Sequence, residues 1–540
     1  MAEQFISHFI IIVCLSLATH GSILFNDGLY WDGWIIDSWQ RNKNWNAMKR
    51  FYSEVGMPIL YYQHRLMSCF QHRILAYKSL AVVSTTISAV CVYIISVNFE
   101  LLSPSNALIL SMLFISYTGA HMVVDTVVAL NYSFPTALFY CAILTSMISD
   151  VSAGYGHWFL RIVGLALFLV SFNMNSLLVF YFGYLLLRVI LFFSQSAFNP
   201  TEMINFVASN IDYISIPFIF WFVKEKFIPR HGPYANYNRI SFNPLRIIML
   251  FLSLFRNGFE GSITKPISYL FNERLWWFPL FAVCLINFLF HDKIQVVEPL
   301  TQPSALVLFG FVLLLLAGLP YILVGQPFAL AGWDTKHSAL FHLPVALILL
   351  GLIHLIIPLH MSMFFTLLIV VTFGLYLNRQ YLHYLAAYVK NRSWLFNLYN
   401  HPGSHNFTIF QVVDRHFIHG DVYNPEQEHR IAYLHYMFEW LWSDQSRLGI
   451  PELKPRLDPY SSADIDIAIR KTTLEYDLDA INVSGAQARI IIETGIIRSP
   501  LLIAISYIVY SLFQKNRLPD FLRKVTTIKI DKLCDATNRH

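Results

Sequence analysis

The sequence predicts an all-α polytopic membrane bundle of about 12 transmembrane helices with a C-terminal α+β aqueous domain. Three observations predict it. Of 540 residues 56% are apolar and only 13% charged, where soluble domains carry about 25%. Apolar runs recur along most of the chain at lengths near those of bilayer crossings. Between the last two runs the composition changes: residues 379–498 hold 26 Asp, Glu, Lys and Arg, against two, Asp334 and Lys336, in 303–378. This balance excludes an ordinary soluble enzyme, a disordered chain and a disulfide-stapled scaffold. The net charge of +5 is small for the length. No basic helix or zinc spacing points to nucleic acid, so none is expected as a partner.

The first run, 5–25, lacks a positive n-region and a cleavage site and reads as an uncleaved span. Residues 26–77 follow as a polar, aromatic-rich first loop. Further runs lie at 79–98, 106–127, 134–149, 158–173, 176–195, 211–224, 276–291, 303–325, 338–357, 360–378 and 500–513. Residues 245–258 suit either a span or an interfacial helix. Three units result: a transmembrane domain over 1–378, an aqueous domain over 379–498, and a last span with a basic tail over 499–540. In the aqueous domain, alternation at Ile465, Ile467 and Ile469, and again at Ala488, Ile490 and Ile492, predicts strands. Residues 425–444 read as a helix ending in Trp440 and Trp442.

Orientation rests on charge. Lys515, Arg517, Arg523, Lys524, Lys529 and Lys532 place the tail in the cytoplasm. With 245–258 interfacial, both termini are cytoplasmic, and 26–77, 225–275, 326–337 and 379–498 are outside. Against this, Arg41, Lys43, Lys49, Arg50, Arg65, Arg73 and Lys78 make 26–77 basic for an external loop.

Chemistry concentrates where polar residues interrupt the apolar background. Asn26-Asp27-Gly28-Leu29-Tyr30-Trp31-Asp32-Gly33-Trp34 follows the first span directly. A carboxylate there, between tryptophans that favour the interface, is placed to take a proton from an acceptor hydroxyl beside a lipid-linked phosphate. The alternative is turn capping by Asp27 and Asp32, with tryptophan anchors. Gly332-Trp333-Asp334-Thr335-Lys336-His337 breaks two apolar runs and reads either as a cavity lining or as a polar turn. In a cavity, Lys336 would hold an anionic phosphate and His337 would donate a hydrogen bond to it. Residues 229–238, with Arg230 and Tyr234, read as a loop tip or a sugar and phosphate contact. Asp125 is an intramembrane carboxylate candidate, whereas His354 and His360 read as core histidines. Sequons stand at Asn131, Asn391, Asn406 and Asn482. Neither a hydrolase elbow nor a P-loop is present in a fitting context.

The layout of residues 1–378 resembles the GT-C superfamily of membrane glycosyltransferases. Asn26–Trp34 carries the resemblance, and Gly332–His337 resembles a Gly-Trp-Asp-Thr-Arg-His segment of uncharacterised bacterial membrane proteins of this kind. The resemblance implies a polyprenyl-phosphate-linked sugar donor, an inverting transfer to a glycan, lipid or protein acceptor, and a catalytic Asp in the first external loop. Asp32, between Trp31 and Trp34, matches the family position better than Asp27. Gly33 stands where many members have a second acid. Lys336 stands where an Arg is usual, with Asp334, His337, Arg230 and Tyr234 as further substrate contacts. No metal ligands are assigned, and a divalent metal is left open. The implied location is a bacterial inner membrane with the site facing outward. A transporter or lipid flippase, with Asp125 and Asp334 as coupling sites, is the non-enzyme alternative.

Overall fold

The computed structural model describes residues 2–195, 200–236, 238–240, 242–290, 298–415, 430–443, 447–451 and 487–532. The strand expected at Ile465–Ile469 and the sequon at Asn482 lie outside them. Helix α1 (Ala2–His20) opens the chain. Three short helices, α2 (Asp32–Arg41), α3 (Trp45–Glu54) and α4 (Pro58–Met67), fill the segment read as a polar loop. Helices α5 (Arg73–Asn98) and α6 (Pro104–Ile115) come next. A π turn at Ala129–Ser133 leads into α7 (Phe134–Val151). Helices α8 (Gly154–Ser171), α9 (Ser176–Gln195), α10 (Pro200–Ser209) and α11 (Ile211–Phe227) continue the bundle. They are followed by α12 (Pro244–Ser253), α13 (Gly261–Asn272), α14 (Trp277–Phe290), α15 (Pro303–Val324) and α16 (His342–Ile356).

Among the described residues, seven helical stretches are long and apolar enough to cross a membrane: Glu3–Phe25, Arg73–Asn98, Thr126–Val151, Gly154–Ser171, Ser176–Phe193, Pro303–Val324 and Leu359–Tyr399. Helices α10 and α11, bent by 50° at their junction, make an eighth if taken as one. Their outward faces are apolar and uncovered, as at Ile6 and Ile10 on α1, Phe159 and Ile162 on α8, and Ile219 and Phe222 on α11. Apolar surface of that extent calls for lipid. Inside, polar groups bond from helix to helix, as a medium without water requires. His20 Nδ1 lies 2.8 Å from the Tyr381 hydroxyl, and His20 Nε2 lies 2.9 Å from Ile115 O. His342 Nδ1 lies 2.9 Å from Phe114 O. These contacts set the ends of α1 and α6, the start of α16 and residue 381 at one end of the bundle.

That end also holds the stretch 244–274. Arg246 Nη2 donates to Gly325 O at 2.7 Å, Asn257 Nδ2 to Phe328 O at 2.8 Å, and Arg379 pairs with Glu273 at 3.6 Å. Close approach is built in at Gly261, where an added Cβ would meet the Leu330 side chain at 2.6 Å. Residues 245–258 run beside the carboxyl half of α15, from Arg246 at Gly325 to Leu254 against Gly318, with Phe259 reaching Phe311.

Helix α17 (Ser362–Tyr399) runs 38 residues without a break. The composition change at 378 falls inside it, so the helix carries the core of the bundle directly into the C-terminal region. There α18 (Ile431–Trp442) packs on a four-stranded sheet of β1 (Ile409–Asp414), β2 (Leu448–Pro451), β3 (Gln487–Thr494) and β4 (Thr526–Lys532), in the order β2-β1-β3-β4. The pairs β1–β2 and β1–β3 are parallel, and β3–β4 is antiparallel. Ala488, Ile490 and Ile492 are buried as the alternation predicts. Lys390 on α17 and Asp414 on β1 form an ion pair that is almost wholly buried. Removing one partner strands the other charge in a dry site, so Lys390→Met should destabilise the protein by about 3–5 kcal/mol. Thermal unfolding in detergent checks this, and a Lys390→Met/Asp414→Leu pair should recover much of the loss.

The last span and opposite-side tail expected over 499–540 are corrected by the sheet. Helices α19 (Pro500–Phe513) and α20 (Leu518–Val525) form a hairpin. Its two ends meet, with Gly495 N donating to Val525 O at 3.0 Å and Thr494 registered against Thr526. The arms hold 14 and 8 residues, about 21 and about 12 Å of helix. The chain leaves the sheet and returns to it, so β4 lies on the same side as β3. Fourteen apolar residues followed by basic ones look like a crossing, and only the strand pairing shows otherwise.

Candidate functional site

The first carboxylate is set by a strained turn. Trp31 adopts φ 39°, ψ −119°, a conformation costly for a residue with a Cβ and found mostly where a site demands it. The turn ends the 26–30 stretch and starts α2 with Asp32 in its first turn, a place that favours negative charge. Helix α2 is tied on several sides. Asp37 accepts from Arg41 Nε at 2.8 Å and from Arg73 Nη2 at 2.6 Å on α5. Ser38 Oγ donates to Glu439 Oε2 on α18 at 2.8 Å, and Asn42 donates to the other Glu439 oxygen. Lys78 Nζ donates to Gly28 O at 3.1 Å and to Val124 O, drawing the turn onto the bundle.

The second cluster comes from the α15–α16 connection. Gly332 at φ 72°, ψ −159° makes a turn suited to glycine. A short 3-10 helix, Trp333–Ser338, then presents the side chains. The Trp333 ring centre lies 5.6 Å from that of Trp31, and the Lys336 ammonium sits 3.5 Å from the Trp333 ring centre, a cation–π seat.

These elements enclose a cavity of about 460 Å³ lined by Trp31, Asp32, Tyr234, Asp334, Lys336 and His337, and by Arg430 and Tyr433 near the start of α18. A smaller chamber of about 150 Å³ shares Asn131, Asn238, Gln326, Lys336 and His337 and adds Arg230, Asn173 and Asn175. The described residues of the 229–238 stretch are mostly exposed, as a loop would be, but Arg230, Tyr234 and Asn238 are half-buried on these cavities. His231 N donates to Glu54 O at 3.0 Å and Gln326 Nε2 to Asn238 Oδ1 at 3.0 Å, which seats the segment between α3 and the α15–α16 connection.

Burial decides the charge states. It pulls the Lys336 ammonium down to about 8, against the attraction of Asp32, Asp334 and Asp125. Burial pushes Asp334 up, opposed by Lys336 and Arg430. It brings His337 down to about 3, with Lys336 adding to the effect. His337 is therefore neutral, and its Nδ1 donates to Pro327 O at 2.8 Å. In that form Nε2 is an acceptor, which suits a sugar or acceptor hydroxyl. Trp31 and Asn131 line this cavity, but Trp31 Nε1 and Asn131 Oδ1 are themselves shielded from it and have no hydrogen-bond partner among the described residues.

Asp27 stands apart. Its carboxylate accepts from the Tyr507 hydroxyl at 2.7 and 2.9 Å and lies 3.5 Å from Arg392 Nη1, so it joins α17 to α19 and does not line the cavity. The place of a second acid after Asp32 is also taken. A Cβ on Gly33 would meet Thr126 Oγ1 at 2.9 Å and Asp125 Oδ2 at 3.3 Å. Asp125 is fully buried, and its Oδ1 caps the next turn through Val127 N at 2.7 Å. Gly33→Ala should therefore shift α2 and lower thermal stability by about 1–3 kcal/mol, read in detergent by the unfolding midpoint.

Sequence reasoning missed Arg430 and Tyr433. The Tyr433 hydroxyl donates to Asp32 Oδ1 at 2.9 Å, yet no spacing connects the two. Of the sequons, Asn391 is buried within α17 and Asn131 faces the cavity, which leaves no room for a glycan; Asn406 is exposed. His354 Nε2 lies 3.0 Å from Asn106 Oδ1, as a satisfied helix-packing histidine. Among the described residues, no group of three or more His, Cys, Asp or Glu is placed to hold a metal ion. No family model and no curated protein matches the chain.

Proposed function

We propose that the cavity binds a sugar linked to a polyprenyl phosphate and transfers it, with inversion, to a hydroxyl of a glycan, lipid or protein, as in the GT-C superfamily. One observation carries this reading: a carboxylate at a helix start and a buried lysine from a distant loop line the same cavity at the end of a membrane bundle. Tyr433 fixes Asp32 Oδ1, which orients Oδ2 toward the acceptor. Asp32 takes the acceptor proton while the acceptor oxygen attacks the anomeric carbon. The bond from that carbon to the phosphate oxygen breaks, and the phosphate leaves with the electron pair. Lys336 and, in the smaller chamber, Arg230 neutralise it, and this pre-placed charge supplies much of the rate. Met174, Pro320 and Val324 line the smaller chamber, a surface suited to the first isoprene units.

In this proposal α6, α14 and α16 also cross the bilayer, with the seven long stretches and the bent pair. That makes eleven crossings, in place of the twelve read from the sequence. The amino end then lies opposite the cavity, and β4 lies beside it. The cavity faces outward in a bacterial-type membrane. Its face carries Arg41, Lys43, Lys49 and Arg50, which the positive-inside rule taken alone would send to the cytoplasm; the proposal ascribes the excess to attraction for an anionic carrier. Lys43→Cys should react with an impermeant maleimide on intact cells, and reaction only after permeabilisation would overturn the outward assignment.

Purified protein in vesicles holding a radiolabelled sugar on polyprenyl phosphate, given membrane extract as the acceptor source, should move label off the lipid. Label that stays on the lipid but changes leaflet would favour the flippase reading.

A further inference from the structure

The hairpin of α19 and α20 serves no step at the cavity, yet its surface is unusual. Leu502, Val509, Leu512 and Phe513 are exposed, Phe513 by 79%. The turn that follows, Gln514–Arg517, is fully exposed and carries Lys515 and Arg517. Helix α20 buries Phe521, Leu522 and Val525 against the domain and turns Arg523 and Lys524 outward.

The height of the hairpin follows from its contacts. Tyr507 sits level with Asp27 and Arg392, beyond the end of α1. One turn further on, Ile508, Ser511 and Leu512 line a cavity of about 440 Å³ with Leu24, Phe25 and residues 71–75. Those residues mark where the first span ends and the Arg73–Asn98 span begins. Phe25 and Leu75 are themselves exposed and apolar. The apolar side of the hairpin tip is thus continuous with the lipid-facing belt of two spans, and a cationic turn closes it.

We propose that α19–α20 is a monotopic membrane anchor. It enters the leaflet on the cavity side only part way, seats Leu512 and Phe513 among acyl chains, and grips anionic headgroups with Lys515 and Arg517. Two features commit the occupant to lipid: continuity with the spans' own lipid-facing surface, and a basic tip where phosphates lie. Above the tip, Tyr507 ties α19 to Arg392 of α17 and to Asp27 after the first span. This inference does not depend on glycosyl transfer.

The test uses the full chain in lipid nanodiscs, with its six cysteines replaced by serine and a nitroxide at Phe513→Cys or Asp520→Cys, both exposed positions. At 513, oxygen should relax the label more than a water-soluble nickel chelate does, and at 520 the order should reverse. A label at 513 as open to the chelate as at 520 would overturn the seating. In nanodiscs with a third anionic lipid, Lys515→Glu/Arg517→Glu should raise chelate access at 513 at least twofold; no change would overturn the headgroup grip. In intact cells, the same cysteine-free chain with Lys529→Cys should react with impermeant maleimide from the same side as Lys43→Cys, and reaction from the opposite side would overturn the anchor altogether.

Discussion

Asp32→Asn should lower sugar transfer by about 10²–10⁴-fold, the usual contribution of a positioned base, while the protein inserts and melts as the wild type does. The amide keeps the shape and can still accept from the Tyr433 hydroxyl, so the loss reports the proton step. Asp27→Asn is the paired control. Its carboxylate bonds Tyr507 and lies near Arg392, away from the cavity, so that variant should keep most of its activity and lose only some thermal stability. Retained transfer in Asp32→Asn would move the base elsewhere.

Lys336→Met should weaken donor binding on the order of 10²-fold, since truncating one partner of a buried charge contact costs about 2–5 kcal/mol. The pH profile makes this specific. Burial holds the Lys336 ammonium near 8, so the side chain is charged below that pH and neutral above it. Wild-type donor affinity should fall as pH rises through about 8. Lys336→Arg, which keeps its charge at any of these pH values, should remove that alkaline fall. Donor titrations from pH 6.5 to 9.5 read both effects, and a profile with the same alkaline fall in Lys336→Arg would exclude Lys336 as the phosphate partner.

The clusters at 26–34 and 332–337 were legible because polar residues stand out in an apolar chain. Which aspartate lines the cavity was not, because one residue decides it: the turn at Trp31 sends Asp27 and Asp32 to different sides. Arg430 and Tyr433 reach the cavity through the packing of α18 on α2, fixed by Ser38 and Asn42 on Glu439, and local sequence carries no trace of that contact. The choice between a loop tip and a ligand contact at Arg230 and Tyr234 was hidden for the same reason, since the seat of their segment on Glu54 is tertiary. Apolar length misled at α19, where period and composition match a crossing. The register of β3 with β4 contradicts it.

Photo-crosslinking tests the central claim most directly. A polyprenyl-phosphate sugar with a diazirine on the sugar, irradiated with the protein in nanodiscs and mapped by peptide sequencing, should mark residues 31–39, 229–236 and 326–337, with unlabelled donor competing. Adducts confined to the lipid-facing helix surfaces, or unaffected by the competitor, would contradict a donor site in this cavity.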